Sequence, residues 1–180
     1  MRAVIDACVL YPTVLREIVL GTAKTGLITP LWSERLLDEW VRAAARHGGT
    51  VDEALARGEI AVLGVVFPQA KIPADPGGEA RLWLPDSGDI HVLATAVTGQ
   101  AEVIVTLNLR DFPARELAGQ GVRAIHPDAL LYALWRAHPD QVAAVVERVH
   151  ATAEQLSGAR MDKRTLLKRV RLPRLAKALA

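Results

Sequence analysis

The sequence predicts a three-layer α/β/α fold with a central, mainly parallel sheet, followed by a helical C-terminal extension. Short apolar segments typical of buried strands, at 2–6, 102–106 and 122–125, alternate with segments of helical pattern. Strands that alternate with helices form parallel sheets covered by helices. Only 4% of the residues are aromatic although 51% are hydrophobic, which favours helices on a small sheet over an all-β fold. A chain of 180 residues accommodates one domain, predicted at 1–130, and a smaller extension at 131–180.

Caps and helix breakers position the helices. Pro12 suits the first turn of a helix that ends near Lys24, before Gly26. Ser33 is a good N-cap for a helix at 34–46, which Gly48 and Gly49 end. A loop is expected at 73–78. Further helices are expected at 51–66 (with Gly58 as a candidate break), 89–98, 113–118, 128–137, 139–156, 163–170 and 173–179.

Several functional classes lack their signatures in this sequence. Cys8 is the only cysteine, so an internal disulfide, CxxC redox chemistry and a cysteine-built zinc site are excluded, and a small core residue is the expected role. No segment resembles a signal peptide, and no apolar run reaches the roughly 18 residues that span a bilayer. We therefore expect a soluble, cytoplasmic protein without membrane contact.

The net charge of +2 conceals an uneven distribution. Residues 160–180 contain eight basic side chains and one acid, Asp162. Such a block is typical either of a solvated helix face or of a segment that binds a polyanion or an acidic partner. The sequence leaves these two interpretations open.

Acidic side chains occur where the predicted strands end and inside two predicted helices. Asp6 ends the first strand, and Asp111 follows the second strand in the segment T-L-N-L-R-D. Ligands of open parallel sheets bind at the carboxyl ends of strands, although both acids could equally form turns. Asp89 falls on the predicted buried stripe of its helix, with His91 facing solvent, and a capping role there is the alternative. Periodicity cannot choose between Asp38 and Glu39 at the edge of the apolar face of the 34–46 helix.

Taken together, these segments resemble the PIN-domain family, in particular the toxins of bacterial toxin–antitoxin pairs of the VapC kind. The residues that carry the resemblance are V-I-D-A-C-V-L-Y-P, S-E-R-L-L-D-E-W, L-P-D-S-G-D-I-H-V-L-A-T-A-V and V-I-V-T-L-N-L-R-D-F-P. They occur in the family's order over residues 1 to about 130. The basic tail, ending in L-P-R, also looks like the helical extension that some of these proteins carry.

The resemblance implies a metal-dependent endoribonuclease. It assigns Glu39 over Asp38 and identifies a quartet that binds Mg²⁺ or Mn²⁺ and activates a water: Asp6, Glu39, Asp89 and Asp111. Thr106, Asn108 and Asp86 match supporting polar positions. Oxygen-only ligands agree with Mg²⁺ or Mn²⁺ over Zn²⁺. Implied partners are an RNA substrate, an antitoxin protein and a second copy in a homodimer, with Arg110 and the basic tail as candidate phosphate contacts.

Three alternatives remain at the level of sequence. A phosphatase with an aspartyl nucleophile would require a second acid at position 8, where Cys8 stands. A metal-dependent DNA nuclease could use the same acids, because only the family resemblance distinguishes RNA from DNA. A catalytically silent PIN-fold binding module is disfavoured by the presence of all four acids.

Overall fold

The computed structural model describes residues 1–179 and contains one four-stranded, all-parallel sheet in the order β2-β1-β3-β4. This confirms the predicted α/β class with a central parallel sheet. Its strands are β1 (Arg2–Ile5), β2 (Thr29–Leu31), β3 (Val103–Val105) and β4 (Arg123–Ile125). The sequence prediction missed β2 because Pro30 cannot donate a ladder hydrogen bond, and such strands are tolerated only at a sheet edge. β2 is indeed an edge strand.

Ten α-helices are assigned within residues 1–179. They are α1 (Ala7–Leu10), α2 (Thr13–Lys24), α3 (Glu34–Val66), α4 (Pro76–Glu79), α5 (Ile90–Thr98), α6 (Ala114–Ala118), α7 (Pro127–Ala137), α8 (Pro139–Ser157), α9 (Lys163–Arg169) and α10 (Pro173–Ala178). The short helices α1 and α4 were not predicted, and α4 begins inside the expected loop at 73–78. Ser87–Asp89 and Leu109–Asp111 are short 3-10 helices.

Helix α3 is two helices joined at a kink. Gly49 has φ 65° and ψ −152°, a conformation that an L side chain rarely adopts. The prediction that the first helix ends at Gly48-Gly49 is therefore confirmed, whereas the helix continues through Gly58 without a break. A Cβ added at Gly58 would meet nothing within 4 Å.

The residues fall into two compact units. The sheet unit comprises Met1–Tyr11 and Thr29–Ile125 and contains all four strands. Its core consists of the apolar strands together with the buried faces of α3 and α5. The predicted division at 1–130 and 131–180 is not tested by this partition and stays a prediction, and Ala180 lies outside the described residues.

The helical unit comprises Pro12–Ile28 and the chain from His126 onward. Helix α2 packs on α8, and α10 packs on both α7 and α9. Gly21 allows α2 to approach α8 closely, because a Cβ there would lie 2.8 Å from Val145 Cγ1. Over residues 1–179, no helix has both the length and the apolar character needed to cross a membrane.

Candidate active site

The first acid of the candidate site lies where β1 and β3 end side by side. The parallel register pairs Ile5 with Val105, so Asp6 and Thr106 come next on neighbouring strands. Thr106 Oγ1 donates a 2.6 Å hydrogen bond to Asp6 Oδ2, and Asp6 is only 7% exposed. A buried carboxylate costs free energy unless it is hydrogen-bonded or faces a cation. Thr106 therefore holds one oxygen of Asp6 in place.

Cys8 supplies a second hydrogen bond to the same carboxylate. Its Sγ donates to Asp6 Oδ2 at 3.1 Å and accepts from the backbone N–H of Leu107 at 3.3 Å. Burial, and then the negative charge of Asp6, raise the pKa of the Cys8 thiol to about 12. The thiol therefore stays protonated at neutral pH and acts as a hydrogen-bond donor and not as a nucleophile.

Glu39 is surrounded by basic side chains. Ser33 caps α3, as predicted, by accepting a hydrogen bond from the backbone N–H of Leu36 at 3.3 Å. Glu39 Oε1 then lies 2.9 Å from His91 Nε2 and within 4.0 Å of nitrogen atoms of two arginines, Arg35 and Arg42. The Glu39 side chain is 31% exposed, whereas the neighbouring Asp38 is exposed to solvent.

Asp89 is the least satisfied acid of the cluster. It occupies the N-cap position of α5, yet its side chain accepts no capping hydrogen bond, and no hydrogen bond or ion pair of this carboxylate occurs among residues 1–179. Burial, and then the negative charges of Asp6, Asp111 and Asp86 in that order, raise the pKa of Asp89 from 3.8 to about 6. The carboxylate is thus half-buried, crowded by like charges and not used as a cap.

The supporting polar residues divide into two groups. Asp86 caps the 3-10 helix Ser87–Asp89 by accepting from the backbone N–H of Gly88 at 2.8 Å. Asn108 contributes its backbone N–H, which donates to Thr106 Oγ1 at 3.0 Å, so a chain of hydrogen bonds leads from this loop to the first acid. Asp111, half-buried, ends the next 3-10 helix, and Arg110 beside it is exposed.

An open cleft of about 340 Å³ brings three of the four predicted acids together: Asp6, Glu39 and Asp89. Cys8 and Asn108 also line it. Asp111 does not line this cleft, although its charge acts on Asp89. Asp38 instead lines a separate depression, with Arg57 and Val41 among its other residues.

Two arginines at the rim of the cleft were missed by the sequence prediction. Arg42 and Arg46 line it and are exposed, whereas the predicted phosphate contact Arg110 does not line it. The signal was available, because 39, 42 and 46 share one face of a helix. The cleft therefore combines an acidic floor with a basic rim.

The chemistry of the donor set fits a hard divalent cation. All four acids offer oxygen donors, and the negative charges of three neighbouring acids crowd Asp89. Within residues 1–179, no three side chains of the His, Cys, Asp or Glu type stand in ligand geometry. The fit therefore rests on donor type and charge crowding.

The prediction that His91 faces solvent was wrong. His91 is 3% exposed and Thr95, one helical turn further on, is 5% exposed, while Val97 is 38% exposed. The physical reason is that Ile90–Thr98 carries no Asp, Glu, Lys or Arg, and a helix without a charged face is buried nearly all round. Among residues 1–179, both ring nitrogens of His91 are buried without a hydrogen-bond partner, although Nε2 lies 2.9 Å from Glu39 Oε1.

Comparison with known proteins identifies the class to which this fold and site belong. A family model described as the PIN domain matches residues 2–110, more than half of the chain, so the protein belongs to the PIN-domain family of nucleases. The matched segment includes Asp6, Glu39 and Asp89 and ends one residue before Asp111. No solved structure matches the chain.

A more particular likeness covers a shorter stretch. The chain is 54% identical over 43 residues to a protein of Mycobacterium tuberculosis (strain ATCC 25618 / H37Rv) named "Putative ribonuclease VapC50". The match covers 24% of this chain and 25% of the relative. The similarity therefore concerns about a quarter of each protein, and it agrees with the VapC-like resemblance of the motifs.

Proposed function

We propose that the protein is a Mg²⁺- or Mn²⁺-dependent endoribonuclease whose site is built by Asp6, Glu39, Asp89 and Asp111. The observation that carries the proposal is Asp89, a half-buried carboxylate without any partner among residues 1–179 and crowded by three other acids. An unpaired carboxylate in such a position is costly for stability, and costly arrangements of this kind cluster at functional sites.

Each residue of the site has a proposed task. Asp6 and Asp89 would hold the ion directly, and Glu39 and Asp111 would complete its shell or orient the attacking water. Thr106 and Cys8 hold Oδ2 of Asp6 by hydrogen bonds, and the backbone N–H of Asn108 holds the hydroxyl of Thr106. When bound, the divalent ion would supply an activated water and neutralise charge on the scissile phosphate.

Substrate binding requires cations near the acids, because a carboxylate cluster repels a polyanion. Arg42 and Arg46 at the rim of the cleft are suited to contact phosphates on either side of the scissile bond. Arg110 stays a candidate for a further contact, exposed beside Asp111. We propose RNA, and not DNA, as the substrate because the chain is similar over 43 residues to a protein named as a putative ribonuclease.

The proposed partners are an antitoxin protein that silences the site and a second copy of the chain. The VapC-like similarity supports the antitoxin.

Exposed apolar side chains on the second half of α3 suit a homodimer contact: Val51, Leu55, Val62 and Val65. Light scattering on the purified protein, with Val62→Asp and Val65→Asp, tests the dimer, and a monomeric wild-type protein would remove it.

Metal-restored cleavage tests the proposed activity. Purified protein stripped with EDTA is incubated with a labelled RNA pool and a matched single-stranded DNA pool, and Mn²⁺ or Mg²⁺ is added back. Asp89→Asn and Glu39→Gln should abolish RNA cleavage, whereas Asp38→Asn, which removes an exposed charge next to Glu39, should retain it. Cleavage that persists in Asp89→Asn would reject the site, and preferential cleavage of the DNA pool would favour the DNA nuclease alternative.

A further inference from the structure

The two units of the chain carry opposite net charge. The sheet unit, which holds the acidic site, contains 10 basic and 14 acidic residues and is therefore −4. The helical unit contains 12 basic and 6 acidic residues and is therefore +6. A positive field of this kind attracts polyanions and raises their rate of association. The helical unit is thus the part of the chain with the charge that a nucleic acid needs.

Much of this positive charge is available for a partner. Lys168, Arg169, Arg171 and Lys177 are exposed, and none of them forms an ion pair in the part of the chain that the structure describes. Lys163 is different, because its ammonium pairs with Glu147. Exposed charges alone are equally typical of a solvated helix face, so a second kind of evidence is needed.

Two half-exposed aromatic rings lie in the same unit, and one of them contacts Arg174. Tyr132 and Trp135 on α7 are stacked, with ring centroids 5.8 Å apart and planes inclined by 27°. The guanidinium carbon of Arg174 lies 5.8 Å from the centroid of the Tyr132 ring. Aromatic faces interleaved with arginines form the platforms on which unpaired bases stack while the backbone phosphates meet the cations.

A buried acid fixes the arginine-bearing helix to this platform. Asp128 is 4% exposed, and its carboxylate accepts hydrogen bonds from the backbone N–H groups of Arg174 (3.0–3.1 Å) and Leu175 (3.1 Å). The first turn of α10 is therefore held against the first turn of α7. The side chain of Arg174 is left to lie over Tyr132 and face the solvent.

Arg171 occupies a backbone position that favours glycine. Its φ is 63°, and it ends α9 in a Schellman motif, in which the N–H of Arg171 bonds to the carbonyl of Lys168 and that of Leu172 to the carbonyl of Leu167. A non-glycine residue in this left-handed conformation is strained, and such strain persists mainly where the side chain has a function. The fold alone would be better served by glycine at position 171.

Arg171 also lies within electrostatic range of α7. Burial lowers the pKa of His126, the N-cap residue of α7, and the positive charge of Arg171 lowers it further, against the opposing effect of Asp128. Arg171 also lies three residues before Arg174, whose backbone N–H bonds to Asp128, so it is at the end of α9 next to the anchored first turn of α10. We propose that Tyr132, Trp135, Arg171 and Arg174 form a binding surface for single-stranded RNA, with bases stacked on the two rings and phosphates held by the two guanidinium groups.

This inference rests on the proposed function in that RNA is the substrate, but its test does not depend on cleavage. The host protein is full-length Asp89→Asn in EDTA, and the probe is a fluorescein-labelled single-stranded RNA of about 12 nucleotides. Fluorescence anisotropy gives the Kd as a function of salt. Arg171→Gly with Arg174→Gln should raise the Kd about tenfold and reduce the slope of log K against log salt by about 1.4, the contribution of two phosphate contacts on a single strand.

The single substitution Arg171→Gly distinguishes a role of Arg171 in RNA binding from a role in the stability of the fold. Glycine relieves the strained backbone, so the melting temperature should rise by about 2 °C while RNA binding weakens. The matched control is Arg123→Gln, which removes an exposed arginine from the N-terminal end of β4 in the sheet unit. The control should leave both the Kd and the salt slope unchanged.

Stacking has its own signature in the fluorescence of Trp135. Trp32 and Trp40 are buried and Trp83 is 61% exposed, so Trp83→Phe leaves Trp135 as the accessible indole. Unlabelled RNA should then quench its emission, and Trp135→Leu should weaken binding about tenfold, as expected for the loss of one stacked base.

The possible outcomes are distinguishable. If Arg171→Gly with Arg174→Gln binds RNA as the Arg123→Gln control does, the surface is not an RNA site and the inference is overturned. If poly-L-glutamate competes as well as RNA and quenching is absent, the surface is suited to an acidic protein instead. A wild-type protein that binds RNA in this way without cleaving it would reject the nuclease proposal alone. Cleavage that is unaffected by these substitutions, with unchanged binding, would reject only the surface.

Discussion

Replacing Asp89 with asparagine should stabilise the metal-free protein at neutral and alkaline pH. The pKa of Asp89 is raised from 3.8 to about 6, a difference of about 2 units, because the folded protein disfavours the ionised form. At about 1.4 kcal/mol per unit, the ionised carboxylate costs the folded state at most about 3 kcal/mol. Asp89 is only half-buried, so solvent screening reduces this cost to about 1 kcal/mol. Asparagine has nearly the same shape and no charge.

The direction of the pH dependence follows from the raised pKa. Between the unfolded-state value of 3.8 and the folded-state value of about 6, the folded protein binds more protons than the unfolded chain. Stability therefore falls as the pH rises through this window, and the full cost is present above pH 6. The advantage of Asp89→Asn should be about 1 kcal/mol at pH 8, or about 2–4 °C in melting temperature, and should disappear near pH 4.

Urea unfolding in EDTA at pH 4, 6 and 8 measures this difference, and a parallel series with Mn²⁺ inverts it. Added Mn²⁺ should stabilise the wild type by mass action and Asp89→Asn much less, because the variant has lost one donor. Asp38→Asn serves as the control, since it removes an exposed acid, and its stability should stay within about 0.5 kcal/mol of the wild type. An Asp89→Asn protein that is less stable than the wild type in EDTA at pH 8 would refute the reasoning, as would an advantage independent of pH.

The remaining predictions concern the neighbours of the acids and two glycines. Thr106→Val removes a buried donor without changing shape, and should cost about 1–3 kcal/mol in urea unfolding and most of the cleavage activity, with Thr106→Ser restoring both. Cys8, with its pKa near 12, should react with iodoacetamide about a thousandfold more slowly than an ordinary thiol at pH 8 until the protein is unfolded. His91→Phe should cost less than about 1 kcal/mol, because no hydrogen bond is lost, yet should weaken Mn²⁺ binding measured by calorimetry. Gly58→Ala should stabilise the protein by about 1 kcal/mol through helix propensity. Gly21→Ala should destabilise it by about 1–3 kcal/mol, because the added Cβ would overpack the contact between α2 and α8. Equal effects of the two substitutions would contradict the close approach of α2 to α8.

Residues that end a predicted strand were the easiest part of the candidate site to locate from the sequence. Asp6 and the segment that begins at Thr106 follow apolar runs, and parallel strands bring their carboxyl ends to one edge. The register that makes Asp6 and Thr106 direct neighbours could not be read from the sequence, because it depends on which strands pair. The edge strand β2 was missed for a related reason. Its pairing with β1 depends on the tertiary structure, and Pro30 disfavours a strand in the local sequence.

Periodicity also could not choose between Asp38 and Glu39, whereas the structure gives them different surroundings. Both flank the apolar arc of α3, but α3 meets the cleft on the side of Glu39. A one-dimensional pattern fixes which face of a helix is buried, and it does not say what lies opposite the edges of that face.

His91 is a buried basic neighbour of the acid Glu39, although the sequence analysis placed it on the surface. Glu39 is half-buried and would repel the other carboxylates of the cleft, and the buried imidazole at 2.9 Å is the nearest basic group to it. Among residues 1–179, neither ring nitrogen of the imidazole has a hydrogen-bond partner, although Nε2 lies this close to Glu39. The close approach of the imidazole restricts the directions in which Glu39 can face the cleft. Helix α5 contains no Asp, Glu, Lys or Arg, and this absence indicated that His91 is buried. The indication can be used only if the helix is expected to be covered on all sides.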